Sequence, residues 1–210
     1  TAYEIRLSLV GSEMCIRDSA NAPHVPVHLG AMGHTVREIR KAFPVMSAGD
    51  VYVSNNPYAG GSHLPDVTVV TPVFCDVAKG AEPNAALEQQ PARPDFYVAS
   101  RAHHAEIGGK TPGSMPPDAT CLSEEGVVID TFALRRNGVE ALDQLRMLLT
   151  SGKFPSRDPE TNLADIAAQR AAGVLGCNYL LQLVESMGMP QVNACVGTMF
   201  DLADDLVRRW

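Results

Sequence analysis

The chain has 210 residues, of which 45% are hydrophobic and 20% charged, and its formal net charge is −7. These values are typical of an ordinary globular protein with a hydrophobic core. No basic patch interleaved with aromatic residues indicates nucleic-acid binding, and no apolar run approaches the length of a membrane span. We therefore expect a globular protein without nucleic-acid or membrane contacts.

The first 19 residues, TAYEIRLSLVGSEMCIRDS, differ in character from the rest of the chain. They look like translated sequencing-adaptor read-through, with a short amphipathic strand as the alternative. A signal peptide is excluded because it needs a basic start and a long apolar run, and no apolar stretch here exceeds the three residues Met14–Ile16. We expect the domain to begin at about residue 20.

The first half of the chain predicts strands that are separated by loops rich in glycine and proline. Residues 20–32 predict an irregular segment, and residues 35–41 predict a short helix that ends before Pro44. The predicted strands are β-branched or alternating segments, and they cover residues 50–54, 67–74, 96–100 and 126–132. Pro72 lies within the second of these strands and indicates a sheet edge or a bulge there.

Loops and an insertion connect the predicted strands. Residues 56–66 contain Asn-Pro and Gly-Gly pairs, which favour turns. Residues 78–94 are polar and rich in alanine and proline, and they predict an exposed insertion between two strands. Residues 111–120 predict a Pro/Gly loop.

The second half predicts helices. Apolar residues recur at helical spacing over residues 140–149, and Asp158 followed by Pro159 predicts the start of a helix that continues to about residue 187. Pro190 opens a last predicted helix with an apolar stripe made of Val192, Cys195, Val196, Met199, Ala203, Leu206 and Val207. Strands followed by helices predict an α+β fold.

Two segments carry most of the candidate chemistry. His63 and Asp66 lie three residues apart in a Gly-rich loop, and His103 and His104 lie just past the predicted end of a strand. Neutral imidazole and carboxylate are the usual ligands of Mn, Fe or Zn in hydrolytic sites. A single His-x-x-Asp pair can also serve only to cap a turn, so the spacing leaves both roles open.

Long segments of the chain resemble the hydantoinase B/5-oxoprolinase family. The segments that carry this resemblance are Ala20–Met32, Gly49–Phe74, Phe96–Pro117, Glu124–Asp130 and Leu148–Gln169. The resemblance implies a B-type subunit of an ATP-dependent amidohydrolase that opens 5-oxoproline or hydantoin rings. The alpha subunits of ATP-dependent acetone and acetophenone carboxylases resemble the same family, so a ketone carboxylase is an alternative. A non-catalytic subunit that only binds a partner is another.

The resemblance also implies roles for individual residues. It implies a divalent metal (Mn, Fe or Zn) at His63, Asp66 and His103, and it makes His104 and His28 candidates for catalysis. Asn56 and Glu106 depart from the family pattern, which usually has aspartate at both places. An Asn at the first place can still form a turn before proline, whereas the longer arm of Glu106 weakens a ligand role.

The same resemblance implies the partners. It implies that ATP and Mg bind an A-type partner subunit in a hetero-oligomer, and the sequence itself has no P-loop pattern. Relatives extend beyond residues 20–210 on both sides, and we expect this chain to be part of a longer subunit. The cysteines lack CxxC spacing, which favours a reduced, cytoplasmic protein.

Overall fold

The protein folds around one antiparallel sheet of seven strands, in the order β2-β1-β5-β4-β3-β6-β7. The computed structural model describes residues 31–75 and 93–210 in full, and the backbone of residues 6–11 and 17–21. The strands are β1 (Arg6–Gly11), β2 (Arg17–Asn21), β3 (Val51–Ser54), β4 (Asp66–Val73), β5 (Phe96–His103), β6 (Phe132–Arg136) and β7 (Val139–Glu140).

Five helices complete the described part of the fold. They are α1 (Ala31–Ala42), α2 (Leu122–Glu125), α3 (Leu142–Leu149), α4 (Pro159–Met187) and α5 (Met189–Arg208). The strand-rich first half and the helical second half confirm the predicted α+β fold. None of the described helices has an apolar stretch sufficient to cross a membrane.

Helices cover both faces of the central strands. Met32, Val36 and Ile39 of α1 pack with Tyr52 and Val70 on one face. The opposite face packs against α3 and α4 in a cluster formed by Val51, Val53, Val67, Val69, Leu145, Leu149, Leu163 and Ile166. Every residue of β4 is consequently buried, which explains its continuous β-branched run, because a strand buried on both faces does not need to alternate.

Pro72 does not mark a sheet edge, and that prediction was wrong. It lies in β4, which is an interior strand between β5 and β3. The pairing of β4 with β3 ends at Val70, whereas Pro72 is paired with Tyr97 of β5. The proline is therefore tolerated in an interior strand at a point beyond the residues paired with β3.

The predicted strand at residues 126–132 was also wrong, because strand β6 begins only at Phe132. The backbone of the preceding segment is paired instead with Asn55 and Ile107. The side-chain amide of Asn55 donates to the carbonyl oxygen of Val127 at 3.0 Å and accepts from the backbone nitrogen of Ile129 at 2.7 Å. The backbone nitrogen of Asn55 also donates to the carbonyl oxygen of Ile129 at 3.0 Å, and the backbone nitrogen of Val127 donates to the carbonyl oxygen of Ile107 at 2.8 Å. These bonds satisfy the segment without a regular strand there.

The other boundaries differ more modestly from the predictions. Helix α1 begins at Ala31, four residues before the predicted start, and β5 continues to His103. Most of the predicted insertion lies outside the described residues, as do residues 22–30. Strands β1 and β2 lie at the edge of the sheet, where β1 pairs with β5. That residues 1–19 are an artefact stays a prediction.

The two long helices begin as the sequence indicates. The carboxylate of Asp158 accepts a hydrogen bond from the backbone nitrogen of Thr161 at 3.1 Å, and Pro159 is the first residue of α4. Helix α5 turns Val192 toward the core, whereas apolar side chains farther along it remain exposed. Those exposed side chains are Met199, Leu202, Leu206 and Val207. The apolar stripe predicted for this helix therefore includes an exposed part.

A buried glutamine, Gln169, links α4 to the sheet by hydrogen bonds. The side-chain nitrogen of Gln169 donates to the carbonyl oxygens of Val67 and Ser100, at 2.9 and 3.1 Å. Its side-chain oxygen lies 3.1 Å from Nε2 of His104. Gln169 thus connects one helix to two neighbouring strands.

We expect Gln169→Leu to lower the free energy of unfolding by about 2 kcal/mol or more, because it leaves a buried imidazole N–H without an acceptor. Gln182→Leu is the matched control, since Gln182 is exposed on the same helix. Urea denaturation of both variants beside the wild type measures the difference. Equal stability of the two variants would contradict the role assigned to Gln169.

Candidate metal centre

The sheet register brings the two candidate segments together. Asp66 is the first residue of β4 and His103 the last residue of β5, and the two are directly opposite each other in the antiparallel pair. Because side chains alternate along strands, Asp66 and His103 point to the same face, on the side of α1. A carboxylate and an imidazole that are distant in sequence therefore meet at one end of the sheet.

A third side chain reaches the same carboxylate from the preceding loop. Nδ1 of His63 lies 2.8 Å from Oδ2 of Asp66, and Nδ1 of His103 lies 2.9 Å from Oδ1. The backbone nitrogen of His63 also donates to Oδ2 of Asp66, at 3.1 Å. Each carboxylate oxygen thus contacts one imidazole, and one ligand atom from each of the three residues lies within 4.8 Å of the others.

The burial of this cluster is uneven. The Asp66 side chain is 1% exposed, whereas both imidazole side chains are 49% exposed. The hydrogen bond that His103 donates to the Asp66 carboxylate raises the pKa of His103, and partial burial opposes that rise. The cluster therefore combines a buried carboxylate, that of Asp66, with two imidazoles that solutes can reach.

The donor set fits a divalent transition metal. Two imidazoles and one carboxylate are the ligand types of the two-histidine, one-carboxylate metal sites, which leave coordination positions open for water or substrate. His63, Asp66 and His103 are the residues that could hold such an ion. The structure thus brings together the three side chains that the sequence and the family resemblance had singled out.

His104 lies on the opposite face of the sheet and is fully buried. Both hydrogens of the Gln169 amide nitrogen are donated to backbone carbonyls, so its oxygen must accept from Nε2–H of His104. Asn162 lies 3.2 Å from the other ring nitrogen, Nδ1. Burial lowers the pKa of His104, and these contacts together assign a neutral imidazole that is protonated on Nε2.

This position of His104 favours a structural role over direct contact with a substrate. The imidazole faces α4, while the side chain of its neighbour His103 faces α1. It therefore fixes the end of β5 and, through it, the place of His103. The catalytic role predicted for His104 stays a prediction, and His28 lies outside the described residues.

Glu106, which departs from the family pattern, joins the end of β5 to the start of α4. Its carboxylate accepts hydrogen bonds from Oγ of Ser156 at 2.6 Å and from the backbone nitrogens of Gly108, Arg157 and Asp158. Burial by itself raises the pKa of Glu106, but these hydrogen bonds outweigh it, and the pKa lies below its usual value. All these partners belong to the protein itself, which agrees with the weak ligand role expected for Glu106.

Asn56, the other departure, serves the turn that precedes the site. Its side-chain oxygen accepts from the backbone nitrogen of Tyr58 at 2.9 Å, and its nitrogen donates to Asp130 at 3.0 Å. An aspartate could accept from Tyr58 in the same way. Asparagine and aspartate can therefore both form this turn, as the alternative interpretation of the sequence predicted.

Sequence analysis missed one charged residue beside the cluster. Arg101 lies two residues before His103 on the same face of β5 and is 1% exposed. A charged residue inside the otherwise apolar stretch FYVASRAH is the signal that could have identified it.

Comparison with known proteins identifies the family. The family described as hydantoinase B/oxoprolinase matches residues 9–210. The chain belongs to the hydantoinase B/oxoprolinase family. Among curated relatives, 5-oxoprolinase 1 of Arabidopsis thaliana is 43% identical over 201 residues, which cover 90% of this chain and 14% of the relative. The chain thus spans about one seventh of the length of this oxoprolinase relative.

One further relative is named as a subunit, and two solved structures have a similar fold. The caprolactamase subunit beta of Pseudomonas jessenii is 29% identical over 88% of this chain and 29% of its own length. The crystal structure of the ATP-dependent caprolactamase from that organism matches with a TM-score of 0.78 and 26% identity, over 98% of this chain and 32% of that one. The nucleotide-free structure of an acetone carboxylase has the same fold, with a TM-score of 0.67, 16% identity and coverage of 89% and 22%.

The lowered pKa of Glu106 predicts a pH-dependent contribution to stability. A carboxyl group with a depressed pKa in the folded state stabilises the fold above its unfolded pKa and loses that effect as the pH falls through the folded value. At pH 7 we expect Glu106→Gln to cost about 1–2 kcal/mol of unfolding free energy. The cost should shrink as the pH is lowered below about 4.5.

Chemical denaturation of wild type and Glu106→Gln at several pH values measures this trend. Asp201→Asn, which changes an exposed carboxylate on α5, should have little effect at any of these pH values. A cost for Glu106→Gln that stays constant down to pH 3 would contradict the assigned role.

Proposed function

We propose that this chain supplies the ring-opening site in the B-type part of an ATP-dependent cyclic amidohydrolase, with 5-oxoproline or a hydantoin as substrate. The observation that carries the proposal is the half-exposed cluster of His63, Asp66 and His103. It stands in a member of a family whose curated relatives include proteins named 5-oxoprolinase and caprolactamase.

We propose that His63, Asp66 and His103 hold one divalent ion, Mn, Fe or Zn. When bound, such an ion would polarise a carbonyl group or lower the pKa of a water molecule. Asp66 is suited to a ligand role because it is buried and because each of its carboxylate oxygens lies close to one imidazole nitrogen, at 2.8 Å from His63 and 2.9 Å from His103. The exposed sides of the two imidazoles face the solvent from which a small cyclic amide would arrive.

The reaction would need ATP to activate the carbonyl group of the cyclic amide. The amide of a lactam is stabilised by resonance, and transfer of the terminal phosphoryl group of ATP to its carbonyl oxygen, with release of ADP, would make the carbonyl carbon more electrophilic. Water would then add to that carbon, and the ring C–N bond would break with the protonated ring nitrogen as the leaving group. A second water molecule would hydrolyse the resulting acyl phosphate to a carboxylate and inorganic phosphate. The sequence has no P-loop pattern, so we propose that ATP and Mg bind an A-type partner, while this chain holds the activated ring.

A partner subunit also suits the exposed apolar side chains of the second half. Besides those of α5, helix α4 exposes Val174, Leu175, Tyr179, Leu183 and Met187. Apolar surface of this kind is typical of sites that other protein segments cover. We propose a cytoplasmic hetero-oligomer, in which the four described cysteines remain free thiols, as they are in the structure.

We expect His63→Ala and Asp66→Asn each to abolish stoichiometric metal in the intact subunit, together with ATP-dependent ring opening. Each substitution removes one of the three proposed ligands found among the described residues. Metal analysis after dialysis and a ring-opening assay with the A-type partner measure both effects. His34→Ala is the control, because His34 is a partly exposed histidine of α1 outside the cluster.

Unchanged metal content in both cluster variants would refute the site. Normal partner binding and full turnover in His103→Ala would instead favour a non-catalytic subunit that only orders its partner.

A substrate panel separates ring opening from carboxylation. We expect ATP-dependent turnover of 5-oxoproline or a hydantoin without bicarbonate, because water is the second reactant in ring opening. A ketone carboxylase would consume acetone or acetophenone and would require bicarbonate. Product analysis with each substrate, with and without bicarbonate, distinguishes the two reactions, and bicarbonate-dependent loss of a ketone would overturn the amidohydrolase proposal.

A further inference from the structure

The loop that carries His63 is held by a buried arginine. Nη2 of Arg101 donates to the carbonyl oxygen of Gly60 at 2.8 Å, and Nη1 lies 3.5 Å from Oγ of Ser62, next to His63. The guanidinium group thus contacts two residues that precede His63 in the loop, Gly60 and Ser62.

The same guanidinium group reaches two further elements. Nε donates to Oγ1 of Thr68 on β4 at 2.8 Å, and Nη2 donates to Oγ1 of Thr35 on α1 at 2.9 Å. Thr68 is directly opposite Arg101 in the sheet, and Asp66 lies two residues before it on the same face. Arg101 therefore joins both strands of the cluster, the loop of His63 and helix α1.

The loop has little freedom to adopt another path at this point. Gly60 has a φ of +87°, and a Cβ atom there would lie 2.4 Å from the backbone nitrogen of Thr35. Its carbonyl oxygen accepts from both the Thr35 hydroxyl and Arg101, each at 2.8 Å. The loop is thus pressed against α1 and fixed from two directions.

A buried guanidinium group is a costly way to fill space. Removing its charge from water is unfavourable unless hydrogen bonds replace those to water, and an apolar side chain of similar size would avoid that cost. What an apolar side chain could not do is hold the Gly60 carbonyl, Thr35 and Thr68 at the same time. The planar fork of arginine, with five N–H donors in fixed directions, can.

We propose that Arg101 is the positioning residue of the metal centre. It fixes the loop of His63 relative to Asp66 and His103, so that the three ligands are in place before an ion binds. Arg101 acts through the loop, by its hydrogen bonds to Gly60 and to Thr35. This inference rests on the proposed metal site, and its test therefore includes variants of the ligands themselves.

The test uses the intact subunit and Co²⁺ alone as the probe, because the visible absorption of Co²⁺ reports its coordination geometry. Arg101→Lys keeps the positive charge but loses the planar fork. We expect its affinity for Co²⁺ to fall about 10- to 100-fold, as is typical when a group that orients metal ligands is removed. The absorption spectrum of bound Co²⁺ should change as well.

Arg135→Lys is the matched control, since Arg135 also donates to a glycine carbonyl, that of Gly49, but lies on β6. Its Co²⁺ affinity and spectrum should equal those of the wild type. Melting of each variant without metal separates misplaced ligands from loss of the fold. If Arg101→Lys does not fold, Thr35→Val replaces it, because that change removes the hydroxyl that bridges Arg101 and Gly60.

The outcomes distinguish this inference from the metal site itself. Wild-type affinity and an unchanged spectrum in a folded Arg101→Lys or Thr35→Val variant overturn the positioning role while leaving the metal site intact. Failure of the wild type to bind Co²⁺, or equal binding by His63→Ala, overturns both. Weaker binding and an altered spectrum in the folded variant, with normal binding by Arg135→Lys, support the inference.

Discussion

Burial of β4 and β5 on both faces is the constraint on which the rest of this structure depends. Apart from His103 at the end of β5, neither strand has a residue exposed to water, so polar groups on these strands need partners within the protein. The hydroxyl group of Ser100, which is buried without a hydrogen-bond partner, is an exception. On the side of α4 one such partner is Gln169, which pairs with backbone carbonyls and with His104. On the side of α1, Asp66 and Arg101 find theirs among loops and hydroxyl groups.

The same constraint explains why the candidate site lies at one end of the sheet. A carboxylate buried in the middle of these strands would lack solvent-exposed partners. At the start of β4, the side chain of Asp66 is buried, but it contacts two imidazoles that are themselves half-exposed. The end of the sheet thus combines a rigid, buried anchor with access for a ligand.

Local signals in the sequence predicted most of the fold. Asp158 and Pro159 predicted the start of α4 because a helix cap depends on adjacent residues, and the β-branched run of β4 predicted a buried strand. The strand predicted at residues 126–132 failed because its backbone partner, Asn55, is more than 70 residues away. The prediction of a sheet edge or bulge at Pro72 was wrong because the sequence of β4 does not show that the pairing of β4 with β3 ends at Val70.

The site was predictable to a similar degree. Spacing and family resemblance selected His63, Asp66 and His103, but only the register of β4 and β5 explains why they meet. The opposite faces of His103 and His104 follow from alternation along β5, yet which face meets α4 depends on tertiary packing. Arg101 and Gln169 could not be assigned from sequence, because each acts on segments between about 30 and 100 residues away.

The antiparallel pairing of β4 with β5 also places the candidate site and the connection between the two strands at opposite ends of the pair. The chain leaves this pair at Val73 and re-enters it at Phe96, opposite each other at the far end from Asp66 and His103. Seven residues of strand correspond to roughly 24 Å. The connection between these strands is therefore attached at the end of the pair farthest from Asp66 and His103, and a fluorescent label or affinity tag inserted there would enter the chain a full strand length away from the candidate site.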